Sequence, residues 1–245
     1  MALVHEFANT GNWLFKRRSF LPVILIISGI ITMYYGNRQA ILFKLSDELF
    51  FLAVTLTGEF IRILTIGFTP KNTSGRNTIN GQIADELNTS GIYSVLRHPL
   101  YLGNFIMWLG PVLFLRSVWF TVIFCLLYWL YYERIMFAEE QFLRRKFGDA
   151  YDKWSRTVRA FIPGFSKYIP PTLPFSVRNV LKREHNSFFN IFAIFTFLDL
   201  IRNYVLSGRI RITELWLCLF VFSIIVWAVI KLIHKRTRWL IVEGR

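Results

Sequence analysis

An arginine, a histidine and a proline stand together where a polar segment gives way to an apolar one, at Arg97, His98 and Pro99. Proline fits the first turn of a helix, because the N–H group that it lacks has no intrahelical partner there. The pattern therefore predicts a helix that opens at Pro99, with free N–H groups and a partial positive charge that suit a carboxylate or phosphate. Arg97 and His98 add donors at the same rim. The alternative is an anchor in the headgroup layer of a membrane, which the same residue types favour.

Two adjacent acids, Glu139 and Glu140, form the second candidate, at the end of another apolar run. Arg144 lies four residues after Glu140, so the two side chains share a helix face and could form a surface ion pair. The alternative to a surface ion pair is a ligand site, which is expected if the apolar runs on either side of Arg116 form a helical hairpin. The acids then lie next to His98, and their carboxylates suit the hydroxyl or ammonium groups of a bound small molecule.

Charged pairs also occur inside apolar runs, Glu59 with Arg62 and Asp199 with Arg202. Each pair is spaced for one helix face. Charges within a membrane are costly and face the interior of a helix bundle or a polar cavity. The pairs are either structural ion pairs or parts of a site for a polar headgroup.

The elements that must position these residues are membrane helices. Hydrophobic residues make up 54% of the 245 positions and charged residues 18%, against about 25% charged in soluble domains. A membrane crossing takes about 20 helical residues. The sequence thus predicts an all-α, polytopic membrane bundle of about six transmembrane helices with cytoplasmic loops and helices. Its apolar runs are 20–35, 49–68, 100–115, 118–132, 188–206 and 212–233. The third and fourth runs are short. They either cross the membrane with help from neighbouring helices or do not cross it fully.

The net charge of +14 is unevenly distributed. If all runs cross, one side carries Lys16, Arg17, Arg18, Lys71, Arg76, Arg97, eleven basic residues from Arg134 to Arg183, Lys235, Arg236, Arg238 and Arg245. The other carries Arg38, Lys44, Arg116, Arg209 and Arg211. The basic side faces the cytoplasm, which places both termini there without invoking nucleic acid. No cleavage site follows the first basic cluster, so we expect a retained anchor. A bacterial inner membrane is favoured, with the endoplasmic reticulum as the alternative.

Several catalytic and binding motifs do not occur in the sequence. It has no G-x-G-x-x-G, G-x-x-x-x-G-K-[ST], H-E-x-x-H or G-x-S-x-G segment, which argues against Rossmann, P-loop, zinc protease and serine hydrolase chemistry. The four histidines are scattered, so we expect no metal site. Two isolated cysteines give no disulfide framework.

A wider pattern resembles a known family. The run from Leu87 to Gly103, then Glu139-Glu140, Phe147-Gly148, Tyr151, Val158 and Pro163, is similar to the integral-membrane methyltransferases. These are the isoprenylcysteine carboxyl methyltransferases and the related phospholipid methyltransferases. The resemblance covers residues 85–164, about one third of the chain. It implies S-adenosylmethionine as methyl donor, bound on the cytoplasmic side.

The resemblance also implies site residues. The cofactor would be lined by Asp85, Glu86, Leu87, Asn88, Tyr93, His98, Pro99, Leu100, Tyr101 and Glu140. Together with Arg97, which comes from its donors at the start of the predicted helix, the catalytic set is Arg97, Arg134 and Glu140. In the carboxyl methyltransferases an arginine one helical turn before the glutamate faces the acceptor. That position is Met136 here, so the nearest basic residue, Arg134, takes the acceptor role.

Methyl transfer from a sulfonium is an in-line displacement, which proximity and orientation can promote. An anionic acceptor needs no general base, whereas an amine would need one, and Glu139 or Glu140 are the candidates. The basic connection from Arg144 to Arg183 favours an anionic, lipid-borne acceptor that arrives from the bilayer. A phosphorylated lipid, of lipid A or phospholipid type, is the first choice and a prenylated cysteine carboxylate the second.

Two other functions compete with methyl transfer. Membrane sterol reductases, which use NADPH, share an Arg-His-Pro-x-Tyr-x-Gly segment but usually lack the adjacent acids, so Glu139-Glu140 favours the methyltransferase. A non-catalytic membrane protein on the same scaffold is the other alternative. The expected organisation is N-terminal membrane helices over residues 1–68, the methyltransferase core over 69–187 and C-terminal membrane helices over 188–245.

Overall fold

A computed structural model of the chain describes residues 2–17, 21–36, 41–42, 44–73, 77–78 and 81–245. Three basic residues used in the charge argument, Arg18, Arg38 and Arg76, lie outside these ranges. The described helices are α1 (Leu3–Arg17), α2 (Leu21–Tyr35), α3 (Leu45–Phe68), α4 (Pro99–Phe114), α5 (Val118–Phe147), α6 (Asp149–Thr157), α7 (Val177–Ser207) and α8 (Glu214–Arg236).

The only strands among the described residues are two residues long. β1 (Asn77–Thr78) and β2 (Gly81–Gln82) pair antiparallel, with Asn77 opposite Gln82. A 3-10 turn, Gly91–Ser94, precedes α4. The predicted all-α membrane bundle is therefore confirmed.

Four of the described helices, α3, α5, α7 and α8, are long and apolar enough to cross a membrane. The apolar stretches Ile24–Tyr35 of α2 and Pro99–Phe114 of α4 are shorter. Large apolar side chains such as Leu126, Leu130 and Ile225 point out of the bundle, where a soluble protein would carry polar ones. The chain is an integral membrane protein.

Two helices extend beyond their apolar runs. α5 continues past the run that ends at residue 132 and carries Glu139 and Glu140 in its last part. α7 begins at Val177, eleven residues before its apolar run, and continues through the boundary expected at residue 187. Both extensions bring polar side chains to the end of the bundle where α4 begins.

α3 and α4 approach each other through glycines. A Cβ added at Gly58 would lie 2.3 Å from the Met107 nitrogen and 2.5 Å from the Gly103 oxygen. At Gly110 it would lie 2.5 Å from the Phe51 oxygen. Small residues let membrane helices pack backbone to backbone. This contact sets the α4 N-terminus against the last turns of α3.

A buried ion network ties α3, α7 and α8 at the opposite end of the bundle. Arg202 contacts Asp199 at 2.5 Å, which confirms the pair expected from sequence, and also Glu48 at 2.6 Å. The indole of Trp216 donates to the second Glu48 oxygen at 3.1 Å. These charges are buried and depend on one another for their polar contacts.

α1 was not foreseen from the sequence. It is an amphipathic helix that packs on α5 through one face, with Phe15 buried and Gly11 against the Arg134 backbone oxygen. The Tyr131 hydroxyl donates to the Leu14 oxygen at 3.1 Å. Its apolar positions recur every three or four residues within a polar sequence, which is the signal for such a helix.

Replacing Gly58 with alanine should lower the free energy of unfolding by about 1–3 kcal/mol, because the added methyl group forces two backbones apart. Gly164→Ala is the matched control, since the nearest atom to its Cβ is 3.8 Å away. Unfolding in mixed micelles measures both. Equal stability of the two variants would contradict the close α3–α4 contact.

Candidate active site

The site is built around the N-terminus of α4. α4 opens at Pro99 with His98 as its N-cap, as the sequence predicts. The segment before it is fixed by the chain that follows α6. The Arg97 and His98 N–H groups donate to the Arg159 and Ala160 oxygens at 2.9 and 3.2 Å. These bonds hold the Arg-His pair at the mouth of a polar cavity.

The paired acids of α5 meet this rim. A Glu140 carboxylate oxygen lies 3.0 Å from Arg97 Nε and 2.9 Å from His98 Nε2. The Tyr101 hydroxyl donates to Glu139 at 2.9 Å. The α4–α5 hairpin thus places both carboxylates beside the Arg-His-Pro segment, which is the ligand-site arrangement considered above.

The other interpretation, a surface pair of Glu140 with Arg144, is wrong. Arg144 contacts Asp152 at 2.8 Å instead. Gly148, with a φ of 52°, turns the chain between α5 and α6. This turn folds α6 back so that Asp152 reaches Arg144, and it leaves Glu140 to Arg97 and His98.

Aromatic residues line and support the cavity. The Trp154 indole donates to the Tyr93 oxygen at 3.1 Å, which ties α6 to the 3-10 turn. Tyr151 is buried beside Glu140, and its hydroxyl makes no hydrogen bond of normal geometry to any described residue. Burial, and then the Glu140 charge, raise the pKa of Tyr151 above its usual range. Burial, and then the Glu139 charge, do the same for the pKa of Tyr93. Both side chains are neutral phenols at physiological pH.

A second ion cluster lies between α3, α4 and α7. Glu184 accepts hydrogen bonds from Arg62 Nε at 3.0 Å and from Arg62 Nη2 at 2.8 and 2.9 Å. Arg62 also donates to the Asn104 oxygen at 2.5 Å and lies 3.7 Å from Glu59. The Glu59–Arg62 pair expected from sequence is therefore present. The shorter contact with Glu184, however, comes from a distant helix.

These groups surround a cavity of about 400 Å³, within the usual range for small-molecule sites of about 300–1,000 Å³. The residues assigned from sequence that line it are Glu86, Leu87, Asn88, Tyr93, Arg97, His98, Pro99, Leu100, Tyr101 and Glu140. It is also lined by residues that the sequence analysis did not place in the cofactor or catalytic sets, Arg62, Ile66, Thr73, Asn104, Tyr132, Glu139, Leu143, Tyr151, Trp154 and Arg183. Glu139, Tyr151 and Arg62 carried sequence signals for this, whereas Arg183 was indicated only as one residue of the basic connection from Arg144 to Arg183.

Two residues assigned from sequence lie elsewhere. The Arg134 guanidinium lies over the Phe7 ring of α1, 3.2 Å from the ring centroid. It is six residues before Glu140, about 120° away around the helix, so it cannot share that face. Asp85 is exposed and accepts a hydrogen bond from Asn72 at 2.8 Å, because the chain reaches the cavity only at the following residue.

The comparisons with known proteins agree with this geometry. The model of the Phospholipid methyltransferase family matches residues 49–150, the part of the chain that supplies most of the cavity wall. A probable protein-S-isoprenylcysteine O-methyltransferase of Oryza sativa subsp. indica is 30% identical over 158 residues, 60% of this chain and 83% of its own. The chain belongs to this family of integral-membrane methyltransferases.

Two further relatives of this methyltransferase match shorter stretches. The protein-S-isoprenylcysteine O-methyltransferase of Schizosaccharomyces pombe is 38% identical over 77 residues, 31% of this chain and 33% of its own. The nickel-cobalt-cadmium resistance protein NccN of Alcaligenes xylosoxydans xylosoxydans is 34% identical over 90 residues, 37% of this chain and 42% of its own. No solved structure matches significantly. The matched family model and the two relatives named as O-methyltransferases favour a methyltransferase over a reductase.

Glu184→Gln should lower the free energy of unfolding of the methyltransferase by about 1.5–3 kcal/mol, because Arg62 keeps its charge and loses its carboxylate partner. Asp152→Asn is the control. It breaks the more exposed Arg144–Asp152 pair and should cost about 0–1 kcal/mol. Unfolding in mixed micelles measures both. Adding Arg62→Met to Glu184→Gln should recover part of the loss, and strictly additive effects would argue against a coupled pair.

Proposed function

We propose that this methyltransferase transfers a methyl group from S-adenosylmethionine to an anionic oxygen of a lipid-borne acceptor. The observation that carries the proposal is the meeting of Arg97 and His98 with Glu140 on the wall of one cavity. Most of that wall lies within the residues that the family model matches.

The cavity fits the chemistry of the cofactor. S-adenosylmethionine has a carboxylate, an ammonium group, ribose hydroxyls, an adenine ring and a sulfonium. Arg97, His98 and the Leu100 N–H in the first turn of α4 suit the carboxylate. Glu139 and Glu140 suit the ammonium group or a ribose hydroxyl. The Trp154 ring suits adenine, and the buried Tyr151 hydroxyl gains a partner when a polar ligand is bound.

When bound, the cofactor supplies an electrophilic methyl group. The protein has to hold the acceptor oxygen in line with that group and exclude water, which is catalysis by proximity and orientation. Glu140 is held by Arg97 and His98, so we assign it a binding role. An anionic oxygen attacks directly and needs no proton transfer.

The acceptor side is assigned to the wall between α3, α4 and α7. Asn104 and Arg183 carry N–H donors on this wall, whereas Arg62 donates to Glu184 and Asn104, and donors suit an anionic oxygen. The names of the rice and yeast relatives make a prenylcysteine carboxylate the first acceptor to test. The phosphorylated lipid, preferred from sequence, becomes the second. Of the basic residues in the connection from Arg144 to Arg183, only Arg183 lines the cavity.

The orientation of the protein follows from its charges. Basic segments cluster at the cavity end of the bundle, and the cytoplasmic side of membrane proteins carries such an excess. We therefore propose a cytoplasmic cavity and cytoplasmic termini. A bacterial inner membrane is our preferred location.

The test uses purified protein in lipid nanodiscs with methyl-labelled S-adenosylmethionine. The acceptors are N-acetyl-S-farnesylcysteine and phosphatidic acid. Glu140→Ala should lose about 100-fold in rate, because a misplacement of about 1 Å costs that much. Glu133→Ala, on the same helix but outside the cavity wall, should retain the wild-type rate.

The product distinguishes the acceptors. Label released by base as methanol identifies a carboxyl ester, and label that stays with phosphatidic acid identifies a phosphate ester. Label found only in a methylated amine lipid would contradict an anionic acceptor. No transfer to any lipid, together with no binding of the labelled cofactor, would contradict methyl transfer by this site.

A further inference from the structure

α7 contributes to the cavity although it lies outside residues 49–150 that the family model matches. Arg183 lines the cavity itself, and Glu184 binds Arg62 just behind the wall. The part of the protein beyond the matched region thus reaches the site. α7 contributes the cation Arg183 and the acid Glu184, which binds a second cation, Arg62.

α7 is fixed to the last turns of α3 by polar contacts along two helical turns or more. The Ser176 N–H donates to the Gly67 oxygen at 2.8 Å, and the Asn179 amide donates to the Ile66 oxygen at 2.9 Å. Further along, the Ser187 hydroxyl donates to Glu59 at 2.9 Å. Arg183 lies between these contacts, so its backbone has a fixed position relative to the cavity.

The charges of the cavity divide into two groups. Glu140 lies against Arg97 and His98, on the wall formed by α5 and the segment before α4. The wall formed by α3, α4 and α7 carries Arg62 and Arg183. Tyr93 and Arg183 both line the cavity. Glu184 and Glu59 balance the charge of Arg62, so Arg183 adds a positive charge to this wall, and that charge favours a negatively charged group near it.

We propose that Arg183 binds the anionic group of the methyl acceptor and thereby selects the class of acceptor. The inference rests on the proposed function and deepens it. A guanidinium pairs with a carboxylate or a phosphate through two parallel hydrogen bonds, which fixes the orientation of the group as well as its charge. Arg183 is a specificity residue that touches the acceptor, while Arg97 and His98 serve the donor.

The test compares Arg183→Gln and Arg183→Lys with Lys182→Gln, a neighbouring basic residue on α7 that does not line the cavity. The probes are N-acetyl-S-farnesylcysteine, its uncharged carboxamide, phosphatidic acid and S-adenosylmethionine. Binding is read from tryptophan fluorescence and turnover from methyl label. Thermal unfolding of each variant shows whether it is folded.

Arg183→Gln should weaken binding of the acid probe by about 10- to 100-fold, the loss of a charge-assisted hydrogen-bonded contact. The same variant should bind the carboxamide and S-adenosylmethionine within about twofold of the wild-type affinity. A larger decrease would mean that Arg183 makes a hydrogen bond to these ligands as well. The KM for the acceptor should rise much more than kcat falls. Arg183→Lys should retain part of the preference for the acid, and Lys182→Gln all of it.

The proposal is overturned if Arg183→Gln weakens acid and carboxamide binding equally, or weakens S-adenosylmethionine binding instead. It is also overturned if the wild-type protein binds neither N-acetyl-S-farnesylcysteine nor phosphatidic acid. The proposed function is tested by a different result. If the wild-type protein prefers the acid to the carboxamide, and Arg183→Gln removes that preference, the anion site is supported. If that same wild-type protein transfers no label, methyl transfer is contradicted. If Arg183→Gln is unfolded, the acid preference of Arg183→Lys decides.

Discussion

The contacts of the Glu140 carboxylate with Arg97 and His98 constrain much of the surrounding structure. A partly buried carboxylate at the end of a membrane helix is costly unless positive and hydrogen-bonding groups surround it. Those groups come from the segment before α4, so α4 and α5 must form a tight hairpin. The chain after α6 must then return to bind the Arg97 and His98 backbones, and the turn at Gly148 allows it.

The same contacts explain how far the sequence could predict the fold and the site. The start of α4 at Pro99 follows from the missing proline N–H, and apolar run length indicated the membrane helices. Local spacing also gave the Glu59–Arg62 and Asp199–Arg202 pairs, because both partners lie on one helix. These features depend on interactions within a few residues along the chain.

Other features depend on tertiary packing, and sequence spacing could not reveal them. Glu140 contacts Arg97 and not Arg144, because α6 brings Asp152 to Arg144. Arg134 is close to Glu140 along the chain but lies on another face of α5, where α1 covers it. Arg183 is distant from every motif and reaches the cavity only because α7 packs against α3. Spacing along the sequence therefore indicated the residues around Pro99 and Glu140, whereas it did not indicate that α7 contributes to the cavity wall.

The proposed reaction requires that the cavity beside Glu140 holds the methyl donor. Irradiation of the protein with methyl-labelled S-adenosylmethionine, followed by peptide mapping, tests this claim most directly. We expect saturable label within residues 86–104 or 132–154, and its loss when unlabelled S-adenosylhomocysteine competes. Competable label confined to the α1–α5 contact around Arg134, or no saturable label at all, would contradict the account.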